Sequence, residues 1–286
     1  LYAPTGGIIE PYRYVFALVE SALKNGLRLR NGFEVAAAEH DGGAHVIHSA
    51  AGDTIRARYA VNAAGLYADQ VSRAFEAEPF TITPRKGEEF LLERDAAGFP
   101  NHVIFPVPAR HSKGVLVIPT VEGTMMLGPT ARQVEDKADT TTTQENLDRV
   151  FSQATHMVPA ISRREIITAF SGSRPVLPGN DFYIGLSKTA PRFVQVAGIQ
   201  SPGLTASPAI AEYVKDLLKQ DGLPMVEKPE YDPFLEPMPR VHAASTETLN
   251  GLVAEDPRYG HIVCRCESVS EAEIVEAVHR GHTTLD

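Results

Sequence analysis

Apolar positions at Val15, Leu18, Val19 and Ala22 recur at the spacing of one helical face. Glu10-Pro11 opens that helix, because proline suits a first turn, and Asn25-Gly26 ends it. A period of two then takes over and predicts a meander near Val35–Glu39, Ala44–Ser49 and Thr54–Asn62, with turns at Asp41-Gly42-Gly43 and Ala51-Gly52-Asp53. The third strand runs into VNAAGLYAD and a short helix. From about 79 to 170 the pattern changes to short strands (Ile82, Glu89–Leu92, Val115–Ile118, Thr124–Leu127) punctuated by proline and glycine. One helix, Thr143 to Met157, interrupts them. RFVQVAG reads as a buried strand, followed by a glycine loop. The next helix is expected to have Ser207 as N-cap, Pro208 in its first turn, and Ile210, Val214, Leu217 and Leu218 inward. A proline-rich stretch from Gly222 to about Arg240 leads to a small strand and a helix opened by the capping box Ser270-x-x-Glu273.

This order predicts an α/β protein: a dinucleotide-binding, Rossmann-like domain in two parts (1–78 and 171–222) around an inserted antiparallel sheet (79–170). A linker and a small domain (223–286) follow.

A net charge of −9 argues against nucleic acid or an anionic membrane as the main partner. The longest uncharged run, Phe193 to Ala211, holds glycine, proline and glutamine and reads as buried strand and loop rather than a membrane span. The two cysteines, Cys264 and Cys266, are too close in sequence for an unstrained disulfide, so a reducing cytoplasm is expected. The opening LYAPTGGIIEP reads like the interior of a protein.

Four stretches can carry chemistry. AGIQSPGLTASPA delivers glycines and free N–H groups to a helix start, which attracts anions or polarised carbonyls; it serves equally as a plain strand-to-helix turn. VNAAGLYAD leaves room at a strand end for a flat ligand, or packs helix on sheet. Arg174, held between Gly172 and Pro175, can present its planar fork to a carboxylate or phosphate. Arg85 and Lys86 in PRKGEEF are either a solvated strand end or ligand contacts. His102 and His111 could reach a substrate from the inserted region.

In order and spacing, PTGGIIEPYR, VNAAGLYAD, PRKGE, GVLVIPT, GPT, SGSRP and GIQSPGLTASPA resemble the FAD-dependent oxidoreductases of the D-amino-acid oxidase superfamily. The nearest branch is that of anaerobic-type glycerol-3-phosphate dehydrogenases and L-2-hydroxyglutarate oxidases. IVCRCESVSEAEIVEAV resembles the first half of a bacterioferritin-associated-ferredoxin-like [2Fe–2S] domain, whose second cysteine pair falls some thirty residues on. Such a cluster takes four thiolates and this chain has two. A Gly-x-Gly-x-x-Gly turn and the acidic residue that follows it in this superfamily are also missing, so the sequence reads as an internal fragment whose parallel sheet lacks central strands.

The resemblance implies an FAD-dependent dehydrogenase that oxidises a small anionic secondary alcohol by hydride transfer to flavin while a base takes the hydroxyl proton. Electrons would then pass through the cluster to an acceptor such as a quinone-linked subunit. Val35 is implied at the adenine end and Ala63, Ala64 and Gly65 along the adenosine–pyrophosphate side. Gly198, Ile199, Ser201, Gly203, Leu204 and Thr205 are implied against the flavin, with Arg174 on the substrate's anionic group, Arg85, Lys86 and His111 as further substrate contacts, and Cys264 and Cys266 on metal. GIQSPGLT lacks the lysine that glycerol-3-phosphate dehydrogenases carry after this loop, which keeps a 2-hydroxy acid open as substrate. The alternatives are an amine or amino-acid oxidase of the same superfamily, or a non-catalytic subunit.

Overall fold

The computed structural model describes residues 2–94, 98–107 and 114–282, in two compact units. One unit comprises the residues up to Glu10 together with Arg30–Glu227; the other comprises Pro11–Leu29 together with the chain from Lys228.

In the larger unit, β1 (Val35–Asp41), β2 (Ala44–Ser49) and β3 (Thr54–Ala57) form the expected antiparallel meander. The third predicted strand divides, however. Its last residues become β4 (Ala60–Asn62), which leaves the meander and pairs in parallel with a strand 133 residues later. A 3₁₀ turn at Gly65–Tyr67 leads into α1 (Ala68–Ala74). The long β5 (Thr83–Leu92) centres the inserted sheet, with β6 (Leu116–Pro119), β7 (Met125–Gly128) and β8 (Arg132–Gln133) on one side. Helix α2 (Gln144–Met157) follows, and β9 (Ile166–Val176) pairs antiparallel along the other edge of β5. The chain returns through β10 (Tyr183–Leu186) and β11 (Phe193–Ala197) to α3 (Gly203–Gln220).

Two cores support these sheets. Phe90, Leu92, Val117, Leu127, Val150 and Ala154 pack α2 on the inserted sheet. Glu88, 1% exposed, ends that core with charge: its carboxylate accepts from the Thr143 N–H (2.7 Å) and the Asn146 side chain (2.7 Å), capping α2 from a neighbouring strand. The second core is built on β11, whose five residues are all buried. Ile210, Val214, Leu217 and Leu218 pack α3 against Val194 and Val196 as the helical period predicts.

Helix α3 starts at Gly203, four residues before the predicted Ser207. Pro208 therefore sits inside it and has no N–H for the Leu204 carbonyl. The Ser207 hydroxyl donates to that carbonyl instead (2.8 Å), so Ser-Pro here repairs a helix rather than opening one.

Glu78 ties the two halves of this unit together. Its carboxylate accepts from the Ser187 hydroxyl (2.5 Å), the Tyr183 hydroxyl and the Lys188 N–H (3.1 Å). Burial works to raise its pKa, but the Ser187 and Tyr183 hydrogen bonds outweigh it and hold the carboxyl down to about 2. A depressed carboxyl contributes stability above its unfolded pKa and loses it as pH falls through the folded one. Glu78→Gln is thus expected to lower stability by about 1–2 kcal/mol near neutrality. The gap to wild type closes as pH falls from about 5 to 2, where Glu78 itself becomes neutral. Thermal unfolding across that range checks it, and a gap independent of pH would exclude the charge as its origin.

The smaller unit holds a helix at Pro11–Lys24, as the sequence predicts. None of its residues is buried, and Val15 and Leu18 are 46% and 51% exposed. The expected inward face is thus only partly covered: Val19 and Ala22 are half-buried while Val15 and Leu18 stay exposed. Beyond it, Thr246–Glu255 is helical, Ile262–Cys264 pairs with Val269–Ser270, and Glu271–His279 starts at the expected capping box.

Candidate functional site

Asn62 and Gln195 decide where the first two glycine-rich stretches meet. Both are buried, 2% and 0% exposed, on the paired strands β4 and β11. The Asn62 amide donates to Gln195 Oε1 (2.8 Å) and to the Ala68 carbonyl (2.8 Å), and Gln195 donates to the Ser72 hydroxyl (2.7 Å). This network fastens α1 onto the sheet with its polar groups paired, and a paired network in a dry interior admits one arrangement. Because β4 and β11 run parallel, their carboxyl ends leave from one edge. Ala63, Ala64 and Gly65 emerge there beside Gly198, Ile199, Ser201, Gly203, Leu204 and Thr205.

The edge is open and glycine-lined. Gly65 has φ +56° and a methyl there would touch nothing within 4 Å. Gly198 has φ +70°, and a Cβ on it would fall 2.7 Å from Leu177. Ala63, Ala64, Ser201, Leu204 and Thr205 are exposed. The N–H groups of Leu204 and Thr205 lie in the first turn of α3, where no intrahelical acceptor exists and no capping side chain serves them. Val35 stands apart from this edge, in the meander, with its side chain packed toward Phe75 and Phe193.

The second part of the site lies on one face of the inserted sheet. The register of β5 on β9 sets Arg85 opposite Arg174, Gly87 opposite Gly172, and Glu89 opposite Phe170. Alternation puts all six on one face. Like charges directly opposite repel, and the partners these arginines hold are neutral. Arg85 donates to Asn180 Oδ1 (2.7 Å) and Arg174 to the Thr130 carbonyl (3.2 Å). Burial, and then the neighbouring Arg85, lower the Arg174 pKa, while Glu89 works the other way. Arg174 stays charged nonetheless.

Lys86 is not on this face. It is 4% exposed on the opposite side of β5, its ammonium 2.6 Å from Asp139 and 3.3 Å from the Thr141 hydroxyl. A one-residue step along a strand reverses the face, which adjacency in PRKGE hides. His102 packs edge-on against Tyr2, with ring centroids 5.7 Å apart. His111 lies outside the described residues.

Residues 1–217 match the family model described as FAD dependent oxidoreductase. The chain belongs to that family. Over 289 aligned residues it is 39% identical to a glycerol 3-phosphate dehydrogenase of Caloramator mitchellensis, covering 100% of this chain and 60% of that one. It is 33% identical to a glycerol 3-phosphate oxidase of Mycoplasma pneumoniae, covering 60% of this chain and 44% of that protein. The solved structure of L-alpha-glycerophosphate oxidase from Mycoplasma pneumoniae with FAD bound matches with a TM-score of 0.69 and 30% identity, over 75% of this chain and 56% of that one. The chain thus spans about half the length of these relatives.

The shared edge of β4 and β11 fits the family's cofactor: it is open, free of side-chain obstruction at Gly65, and lined with unserved N–H groups. The cysteines fit a four-thiolate cluster less well. Cys264 is half-buried and Cys266 exposed. Among the described residues no group of three or more His, Cys, Asp or Glu could hold a metal. Among them, too, no helix is long and apolar enough to cross a membrane.

Sequence reasoning missed Asn62 and Gln195, whose polarity is disguised inside apolar strands, and Glu89. Two-residue alternation from Arg85 was the available signal for Glu89.

Proposed function

We propose that the chain is part of an FAD-dependent dehydrogenase that oxidises a small anionic secondary alcohol, glycerol 3-phosphate or a 2-hydroxy acid. The observation that carries this reading is the Arg85–Arg174 pair, two cations held opposite each other on a sheet face and hydrogen-bonded to neutral groups among the described residues. An anion between them would turn a repulsion into two charge-assisted contacts. Ala63, Ala64, Gly65 and the loop Gly198–Thr205 hold the cofactor, Val35 contributes backbone at its adenine end, and bound FAD supplies the two-electron acceptor. The N–H groups of Leu204 and Thr205 would be available to stabilise negative charge on the reduced flavin. Arg174 binds and orients the substrate's anionic group, with Arg85 beside it. An iron–sulfur cluster would need two thiolates beyond Cys264 and Cys266, so no electron path is assigned through them; an acceptor protein or quinone-linked subunit is the partner this reading requires.

The test is an absorption spectrum of the purified protein with FAD supplied, followed by dye reduction with glycerol 3-phosphate, L-2-hydroxyglutarate and glycine in turn. A flavin band bleached by one of the first two supports the proposal. Bleaching by glycine alone would transfer the site to the amino-acid oxidases, and failure to retain FAD would refute the cofactor placement.

A further inference from the structure

Glu89 is a carboxylate without a settled role. Its Oε2 is buried and has no hydrogen-bond partner among the described residues. Such a group costs roughly 1–3 kcal/mol when unserved, and it stands on the same sheet face as Arg174. Burial raises its pKa, opposed by the nearby Arg174.

Between the two charges lies a pair of opposed glycines, Gly87 and Gly172. Nothing lies within 4 Å of a Cβ placed on Gly172, so the face is open there. On Gly87 the same construction meets Pro129 at 2.7 Å, the Thr130 carbonyl at 3.1 Å and the Arg174 guanidinium at 3.7 Å. The Arg174 fork therefore reaches back along the strand toward Glu89, and the Pro129-Thr130 segment walls the depression. A Cβ on Gly128 would lie 2.7 Å from Glu89 Cγ, so that glycine leaves the space in which the Glu89 side chain sits. One two-residue strand repeat, roughly 7 Å, separates Gly87 from Glu89. A molecule with two or three bonds between an anionic group and a hydroxyl spans such a gap with a hydrogen bond at each end.

We propose that Glu89 is the hydrogen-bond acceptor for the substrate's hydroxyl group, a specificity-determining residue that works with Arg174 across the Gly87–Gly172 gap. The cleft then selects small molecules in which a hydroxyl stands close to a phosphate or carboxylate. The inference rests on the anion-binding reading of Arg174 above.

Titration calorimetry tests it on the protein with FAD supplied and reduced beforehand, so that no turnover occurs. The two probes are glycerol 3-phosphate and 3-hydroxypropyl phosphate, which lacks only the secondary hydroxyl. Wild type is expected to prefer the former about tenfold or more, the scale of a hydrogen bond to a charged acceptor. Glu89→Leu should bring the ratio to about one. Glu89→Gln, which keeps an acceptor, should retain most of it. If the leucine variant does not fold, the unbranched Glu89→Met carries the same readout. Arg174→Ala should weaken both ligands alike and leave the ratio standing. A ratio unchanged in Glu89→Leu, or no preference in wild type, overturns the role of Glu89 alone. If wild type binds neither ligand, or Arg174→Ala alters neither affinity, the anion reading falls and this inference with it.

Discussion

Arg174→Ala is expected to raise KM for the anionic alcohol on the order of 100-fold, with the flavin content of the protein unchanged. The figure corresponds to about 3 kcal/mol, the usual cost of removing one partner from a hydrogen-bonded charge pair. Stability should stay nearly level. The free protein holds Arg174 opposite Arg85, a repulsion that truncation relieves, while the attraction to Glu89 that truncation removes works the other way. A residue kept for structure would not behave like that, and steady-state kinetics beside thermal unfolding separates the cases. Arg174→Lys restores the charge but not the planar fork, so recovery should be partial. A KM within twofold of wild type would remove Arg174 from the substrate site.

Gly198→Val should abolish flavin retention and cost about 3 kcal/mol of stability. Two effects add. The residue has φ +70°, a region that β-branched side chains avoid, and its Cβ would sit 2.7 Å from Leu177 Cδ1, 2.8 Å from Leu177 Cγ and 3.3 Å from the Asp181 carbonyl. Leu177 belongs to a buried cluster with Ile82 and Ala197, so it has little room to move. For a unit of this size the loss lowers Tm by roughly 10 °C. The flavin to protein absorbance ratio after gel filtration, set beside Tm, gives the reading. A variant that keeps both would show that the loop tolerates a side chain, and its placement against the cofactor would be withdrawn. Gly172→Ala is the matching control, because that glycine faces open space and its substitution should leave folding intact.

Much of this molecule was legible in one dimension. The amphipathic helices, the meander, the buried strand RFVQVAG, the capping box at Ser270 and the inserted antiparallel sheet follow from periodicity and turn residues, because those signals are local. The two glycine-rich stretches announced themselves by composition, and Arg174 by its glycine and proline neighbours.

What the chain could not reveal locally were the pairings. Nothing near Asn62 indicates that Ala60–Asn62 would quit the meander and pair with Phe193–Gln195, yet that parallel pairing brings the two loops to one edge. Ser207-Pro208 looked like a helix start because its sequence matches one; only the finished helix shows the hydroxyl serving a carbonyl that proline cannot. Arg85 and Lys86 are neighbours in sequence and lie on opposite faces of one strand. The helix at Pro11–Lys24 keeps its predicted amphipathic pattern, yet its apolar face is only partly covered, with Val15 and Leu18 exposed. The sequence by itself determined which segments are helix or strand and which residues could carry charge to a ligand. The tertiary structure alone decided that Arg174 joins Arg85 and Glu89 on one face across two glycines, because register between strands far apart in the chain is set by the whole core and not by any neighbouring residue.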